Sequence, residues 1–84
     1  MTREVNFNKE KIREAADILK SPAKLARSID IGEASVYRWI KGSAIPDPIN
    51  CLKIEKATGG KVKARDIRPD FDFDAYIEEL KSII

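Results

Sequence analysis

The side chains best suited to chemistry lie between Ser21 and Ser43. Over residues 33–41, Ala34, Tyr37, Arg38 and Lys41 recur at i, i+3, i+4 and i+7, the spacing that gathers side chains on one face of a helix. They form neither a nucleophile–base pair nor a set of metal ligands. Their chemistry matches double-stranded DNA. The planar fork of Arg38 fits the two acceptors that guanine presents in the major groove, a pair that discriminates by roughly 1–3 kcal/mol. Ala34 is small enough to meet a thymine methyl. Tyr37 can meet a thymine methyl, a base edge or a phosphate, and Lys41, at the helix end, reaches a phosphate. Glu33 has two uses, accepting from cytosine N4 or placing its charge in the first turn against the helix dipole. Upstream, Ser21, the free amides after it and Lys24 form a helix start suited to a backbone phosphate. Ser35 and Ser43 are further candidates for backbone contacts. Ordinary solvated charge is the competing reading for Lys24 and Arg38, and a surface ion pair is the competing reading for Arg27.

Two short helical patterns must position these groups. Ser21 is an N-cap and Pro22 occupies the first helical position, where its missing N–H costs nothing. Leu25, Ala26 and Ile29 then share one face. Residues 30–32 interrupt, and in the second pattern Val36, Trp39 and Ile40 turn inward. Gly42 supplies the left-handed residue that ends it. Helices this short are unstable alone, so a sharp two-helix unit of this kind reads as a helix-turn-helix over 21–41, with 33–41 as the helix that enters the major groove. The spacing resembles the signature of the λ-repressor/Cro superfamily. Ala26 is the small residue of the first helix, Asp30 the turn residue, Ile31 the apolar residue after it, and Val36 and Trp39 the closing pair. Asp30 stands where that pattern most often has Gly, and Gly32 where it often has Ser or Thr. Asp is among the residues that tolerate the left-handed region.

The chain of 84 residues reads as one domain, and the expected fold class is all-α, a four-helix body with an amphipathic C-terminal helix. There is no His, and the single Cys51 excludes an internal disulfide and a cysteine zinc site. No metal, cofactor or small-molecule substrate is expected, nor an enzyme. No leader-like N-terminus or membrane-length apolar run is present, which points to the cytoplasm. The net charge of +2 conceals an asymmetry: residues 1–69 hold 15 Lys/Arg against 9 Asp/Glu, and residues 70–84 hold 1 against 5. A basic body with an acidic tail suits a polyanion binder whose tail faces elsewhere.

Residues 1–6 read as frayed. Asn6 or Asn8 caps a helix that runs to about Lys20, with Ile12, Ala15, Ala16, Ile18 and Leu19 as its apolar side and Phe7 as a staple over its first turn. Lys9, Lys11 and Arg13 belong to its solvated side. A loop over 42–48 ends in Asp47 and Pro48, which repeat the device of Ser21 and Pro22 and start a helix with Ile49, Leu52, Ile54 and Ala57 as apolar positions. Cys51 reads as a buried small hydrophobe. Residues 59 and 60, both Gly, end this helix. Val62 would suit a short extended run over 61–65, but without a partner strand the segment is read as coil. Asp70 or Asp72 caps a last helix over about 72–83, whose stripe is Phe73, Tyr76, Ile77, Leu80, Ile83 and Ile84; the stripe either folds back on the domain or pairs with that of a second copy across a dimer interface. The run Asp70, Asp72, Asp74 lacks the spacing of a calcium loop.

A second resemblance rests on Cys51, Ile54, Glu55, Ala57, Thr58, Gly59, Gly60, Val62, Asp66, Ile67, Arg68, Pro69 and Asp70. These look like the C-terminal half of the YdaS-type Cro-like regulators, small transcription factors encoded by prophages. With Ala26 to Trp39 the resemblance spans residues 20–70. It implies a repressor or antirepressor acting on DNA. A single domain of this size buries little DNA surface, so a homodimer on a palindromic operator is expected. The alternative is a protein-interaction module, antitoxin-like, binding through the acidic last helix.

Overall fold

Capping chemistry sets most of the helix boundaries. The computed structural model describes residues 7–83 and contains, among them, six helices: α1 (Glu10–Ile18), α2 (Pro22–Ser28), α3 (Glu33–Lys41), α4 (Pro48–Ala57), α5 (Ala64–Ile67) and α6 (Phe73–Ile83). There is no strand among the described residues. The Ser21 hydroxyl accepts from the Lys24 amide at 3.1 Å, and Asp47 accepts from the Asn50 amide at 3.0 Å, with a proline at the start of each helix. Both caps satisfy a donor that the first turn leaves orphaned. Asp72, not Asp70, caps α6 by accepting from the Ala75 amide at 3.0 Å.

The first helix departs from expectation at its start. Asn6 lies outside the described residues, as does the frayed run 1–6. Asn8 does accept from the Glu10 amide at 3.2 Å, but Lys9 already has helical dihedrals and stands at the N-cap. The Asn8 amide is turned to the carbonyl of Ile67 at 2.9 Å, which ties the chain before α1 to the end of α5. Lys20, just past α1, is left-handed with φ 85°.

Between α2 and α3, Asp30 takes φ 57°, so the turn is left-handed as its position demands. The Ile31 amide reaches back to the Ala26 carbonyl at 3.0 Å and closes the end of α2. Gly42, with φ 82°, ends α3, and the Ser43 amide donates to the Arg38 carbonyl at 2.9 Å.

These helices enclose one buried cluster. Ile12, Ala15 and Ala16 come from α1, Leu25 and Ala26 from α2, Val36 and Trp39 from α3, Cys51 and Ile54 from α4. Ile29, Val62, Ala64, Ile67 and Phe73 complete it, while Phe7, Ile18, Leu19, Ile40 and Leu52 are partly buried against it. Truncating a wholly buried side chain such as Leu25 to alanine costs about 2–5 kcal/mol, a large part of what holds a domain of this size together.

Three expectations need correction. The segment 61–65 is neither extended nor plain coil, because Ala64 opens α5 and the buried Val62, Ala64 and Ile67 anchor it. Ile49, expected inside, is 40 % exposed. Apolar residues occur on more than one face of α4, and Cys51 with Ile54 takes the core side. The α6 stripe is not buried as a whole either. Phe73 enters the core, Tyr76 packs edge-on to Phe71 with ring centroids 5.4 Å apart, and Ile83 is 70 % exposed. Ile84, the last of that stripe, lies outside the described residues.

Candidate nucleic-acid interface

The burial of Val36 and Trp39 fixes which way α3 faces. Residues three and four apart share a side, so seating these two in the core turns Ala34, Tyr37, Arg38 and Lys41 outward, and all four are exposed. Tyr37 is 44 % exposed, more than most large rings. Glu33 is exposed in the first turn, where its carboxylate complements the helix dipole, and Ser35 is half-buried. Gly32, at the N-cap, offers no side chain to the first turn of α3. The Ser35 amide donates to the Gly32 carbonyl at 3.1 Å, which leaves the amides of Glu33 and Ala34 for solvent or for an anion.

Arg38 lies in the last turn of α3, whereas a helix in the major groove is expected to meet base edges with its exposed N-terminal half. The difference is smaller than it sounds, because Cα–Cβ bonds tilt toward the helix N-terminus and Arg is long. Among the described residues neither Arg38, Lys41, Lys24 nor Glu33 makes an ion pair. The outward face of α3 and the start of α2 therefore hold three cations and one carboxylate with no charged partner in the described structure. Ser21 spends its acceptor on the α2 cap, and its neighbour Lys24 is exposed. The Ser43 hydroxyl donates to the Arg38 carbonyl at 3.3 Å, so it serves first to close α3. Arg27 is exposed and likewise makes no ion pair among the described residues.

The segment C-terminal to α3 is held rigidly by contacts that local sequence patterns do not display. Arg68, after α5, grips Asp70 with two bonds, Nη2 to Oδ2 at 2.9 Å and Nε to Oδ1 at 3.3 Å. Its third nitrogen donates to the Pro46 carbonyl at 3.4 Å, across 22 residues, and its guanidinium lies 5.7 Å from the Phe71 ring centre. The hydrogen bonds to Asp70 hold Arg68 further toward its charged form. The loop between α3 and α4 is thus pinned from behind. The wholly buried Cys51 thiol faces the same Pro46 carbonyl, with sulfur 3.9 Å from oxygen, and burial pushes its pKa up to about 12. A thiol of that kind is inert at neutral pH.

The residues from Glu55 to Ala64 form a second brace. Glu55 accepts from the Ala64 amide at 2.8 Å and caps α5, and the buried Thr58 hydroxyl accepts from the Val62 amide at 3.2 Å. Gly59 and Gly60 are both left-handed, so the chain can reverse within the brace. The three acidic residues 70, 72 and 74 have separate structural tasks: Asp70 holds Arg68, Asp72 caps α6, and Asp74 lies 3.9 Å from Arg65. Among the described residues no group of three or more His, Cys, Asp or Glu is arranged to hold a metal, and no helix is long and apolar enough to cross a membrane.

With this arrangement in view, the likeness to known proteins has a structural meaning. A family described as Bacterial toxin YdaS matches residues 12–76, from α1 into the first turn of α6. The chain belongs to that family. It is similar to a protein of Escherichia coli (strain K12) named "Putative transcriptional regulator YdaS", 33 % identical over 61 residues. That alignment takes in 73 % of this chain and 62 % of the relative, so the chain spans about three fifths of the relative's length. No solved structure matches it. The residues of the second motif identified in the sequence, Glu55, Thr58, Gly59, Gly60, Arg68 and Asp70, are the ones that build the two braces.

Proposed function

We propose that the chain is a sequence-specific DNA-binding regulator of transcription, Cro-like, acting in the cytoplasm as repressor or antirepressor. It folds as one helix-turn-helix domain of the λ-repressor kind over 1–84 and reads a palindromic operator as a homodimer. The observation that carries this reading is the outward face of α3, where Arg38, Lys41, Tyr37 and Ala34 stand exposed while Val36 and Trp39 anchor the helix in the core. A helix seated in this way presents base-reading and phosphate-binding groups together. Arg38 reads guanine; Ala34, Tyr37 and Glu33 meet neighbouring base edges. Ser21, Lys24, Ser35, Lys41 and Ser43 lie along the phosphates. The name of the Escherichia coli relative supports the reading.

The family takes its description from a toxin, and one observation favours a second reading as a protein-binding module. Among the described residues, the apolar stripe of α6 apart from Phe73 has no place in the buried cluster, and its other side is acidic. A basic protein partner would fit it. Enzymatic action finds no support: the sequence lacks His, and the one thiol is buried beside a carbonyl, not beside a base. Selection of random duplexes on the purified protein tests the leading reading. Enrichment of a palindromic site is the expected result, and recovery of an unenriched pool across salt concentrations would count against it.

A further inference from the structure

We infer that Lys9 is a further phosphate-binding cation, delivered from the start of α1 to the C-terminal end of α3. The sequence places Lys9 on the solvated side of α1 with nothing to set it apart. In the structure its side chain lies across Gly42. A Cβ on Gly42 would stand 3.1 Å from Lys9 Cδ and 3.6 Å from its Nζ. The bare glycine therefore admits the stem, and the ammonium comes to rest beside the last turn of α3. There the carbonyl end of the helix dipole favours a cation. Lys41 and Ser43 flank Gly42 in the chain and Lys41 is exposed, so a cation from the start of α1 and the last residue of α3 stand at one end of that helix. Like charges brought together raise the local positive potential, which calls for an anion to share them. Among the described residues Lys9 has no carboxylate within ion-pair distance, whereas its neighbour Lys11 is paired with Glu14 at 3.1 Å.

The inference rests on the DNA-binding reading, and it adds a contact from outside the helix-turn-helix. With α3 in the major groove, its C-terminal end stands near a strand of the groove wall. Two cations there would clamp a single phosphate or two successive ones. Each phosphate neutralised releases counterions, so the logarithm of affinity falls with the logarithm of salt by about 0.9 per contact. Losing one contact then weakens binding roughly eightfold at 0.1 M salt, and the difference closes toward 1 M.

The test is a salt titration on a mixed-sequence duplex, which isolates the backbone term. Wild-type protein is compared with Lys9→Gln, Lys9→Arg, Lys11→Gln and Lys24→Gln. Lys9→Gln is expected to bind roughly eightfold more weakly at 0.1 M salt with a slope lower by about 0.9, Lys9→Arg to restore both, and Lys11→Gln to change neither. A role confined to the helix dipole would lower the melting temperature of Lys9→Gln and leave the slope alone, and that result overturns the inference. So does an equal loss for Lys11→Gln, which would mean that charge anywhere on α1 suffices. If wild type binds and only Lys24→Gln lowers the slope, the Lys9 assignment fails while the DNA reading stands. If wild type shows no salt-dependent binding, both fail.

Discussion

Thr58 offers the clearest test of the brace behind α3. Its hydroxyl, 4 % exposed as a residue, accepts from the Val62 amide at 3.2 Å and donates toward the carbonyls of Ile54 at 3.0 Å and Glu55 at 3.1 Å. Thr58→Val keeps the shape and removes the acceptor. The Val62 amide is buried with its residue at 1 % exposure, so it is left with no partner and no water. An unsatisfied buried N–H costs about 1–3 kcal/mol, and the added methyl returns less than about 1 kcal/mol. From the middle of that cost, about 2 kcal/mol, the net loss is about 1 kcal/mol, a fall in melting temperature of roughly 4–8 °C for a domain this small. Thr58→Ser keeps the bond and loses one methyl, about 0.8 kcal/mol. Thermal unfolding gives the stabilities, and amide exchange at Val62 identifies the cause. Exchange should accelerate in Thr58→Val and stay slow in Thr58→Ser. A Thr58→Val protein that melts like wild type, with Val62 still protected, would refute the reasoning.

Four further outcomes rest on the same geometry. Lys20→Gly and Asp30→Gly should each raise the unfolding free energy in urea titrations by about 0.5–1 kcal/mol, since both residues are left-handed and glycine relieves the strain at an entropic cost. Alanine at either site should give no such gain. The Cys51 thiol keeps its proton to about pH 12 when folded, against an ordinary 9.0, so stability is unaffected below pH 9 and falls between 9 and 12 by up to about 1.4 kcal/mol per pH unit. Denaturant titrations from pH 8 to 10.5 should show this extra alkaline slope in wild type and not in Cys51→Ala. The dimer reading is tested with the outer half of α6 only, because Phe73 belongs to the core. Leu80→Glu with Ile83→Glu should sediment as a monomer, and an unchanged dimer places the interface elsewhere.

The features legible in the sequence are those set by one residue or one period. Ser21 with Pro22 and Asp47 with Pro48 announce helix starts by chemistry, and the structure keeps both caps. Asp30 and Gly42 are left-handed where the pattern places turns, and Val36 and Trp39 enter the core at the spacing of one helix face. The features that escaped were set by tertiary contact. At four residues, α5 is too short to carry a period, and it exists because Val62, Ala64 and Ile67 are buried and Glu55 caps it. Nothing local marks Lys20 for a left-handed conformation, since Lys has no side-chain oxygen to favour it. The link from Arg68 to the Pro46 carbonyl spans 22 residues. Lys9 likewise shows its place only when α1 packs against α3. The second motif was legible as a family signature, but its structural role emerged only with the hydrogen bonds of Glu55, Thr58 and Arg68.

The central claim, that α3 reads bases while the start of α2 holds the backbone, is tested most directly by titrating two variants on operator and scrambled duplexes at several salt concentrations. Arg38→Ala should lose roughly 1–3 kcal/mol of preference at one base pair per half-site, with non-specific affinity little changed. Lys24→Ala should weaken both duplexes by similar factors and lower the salt slope by about 0.9. Both side chains are exposed, so neither change empties the core and melting temperatures should stay level. Equal losses on both duplexes for Arg38→Ala, with the base preference intact, would contradict the claim.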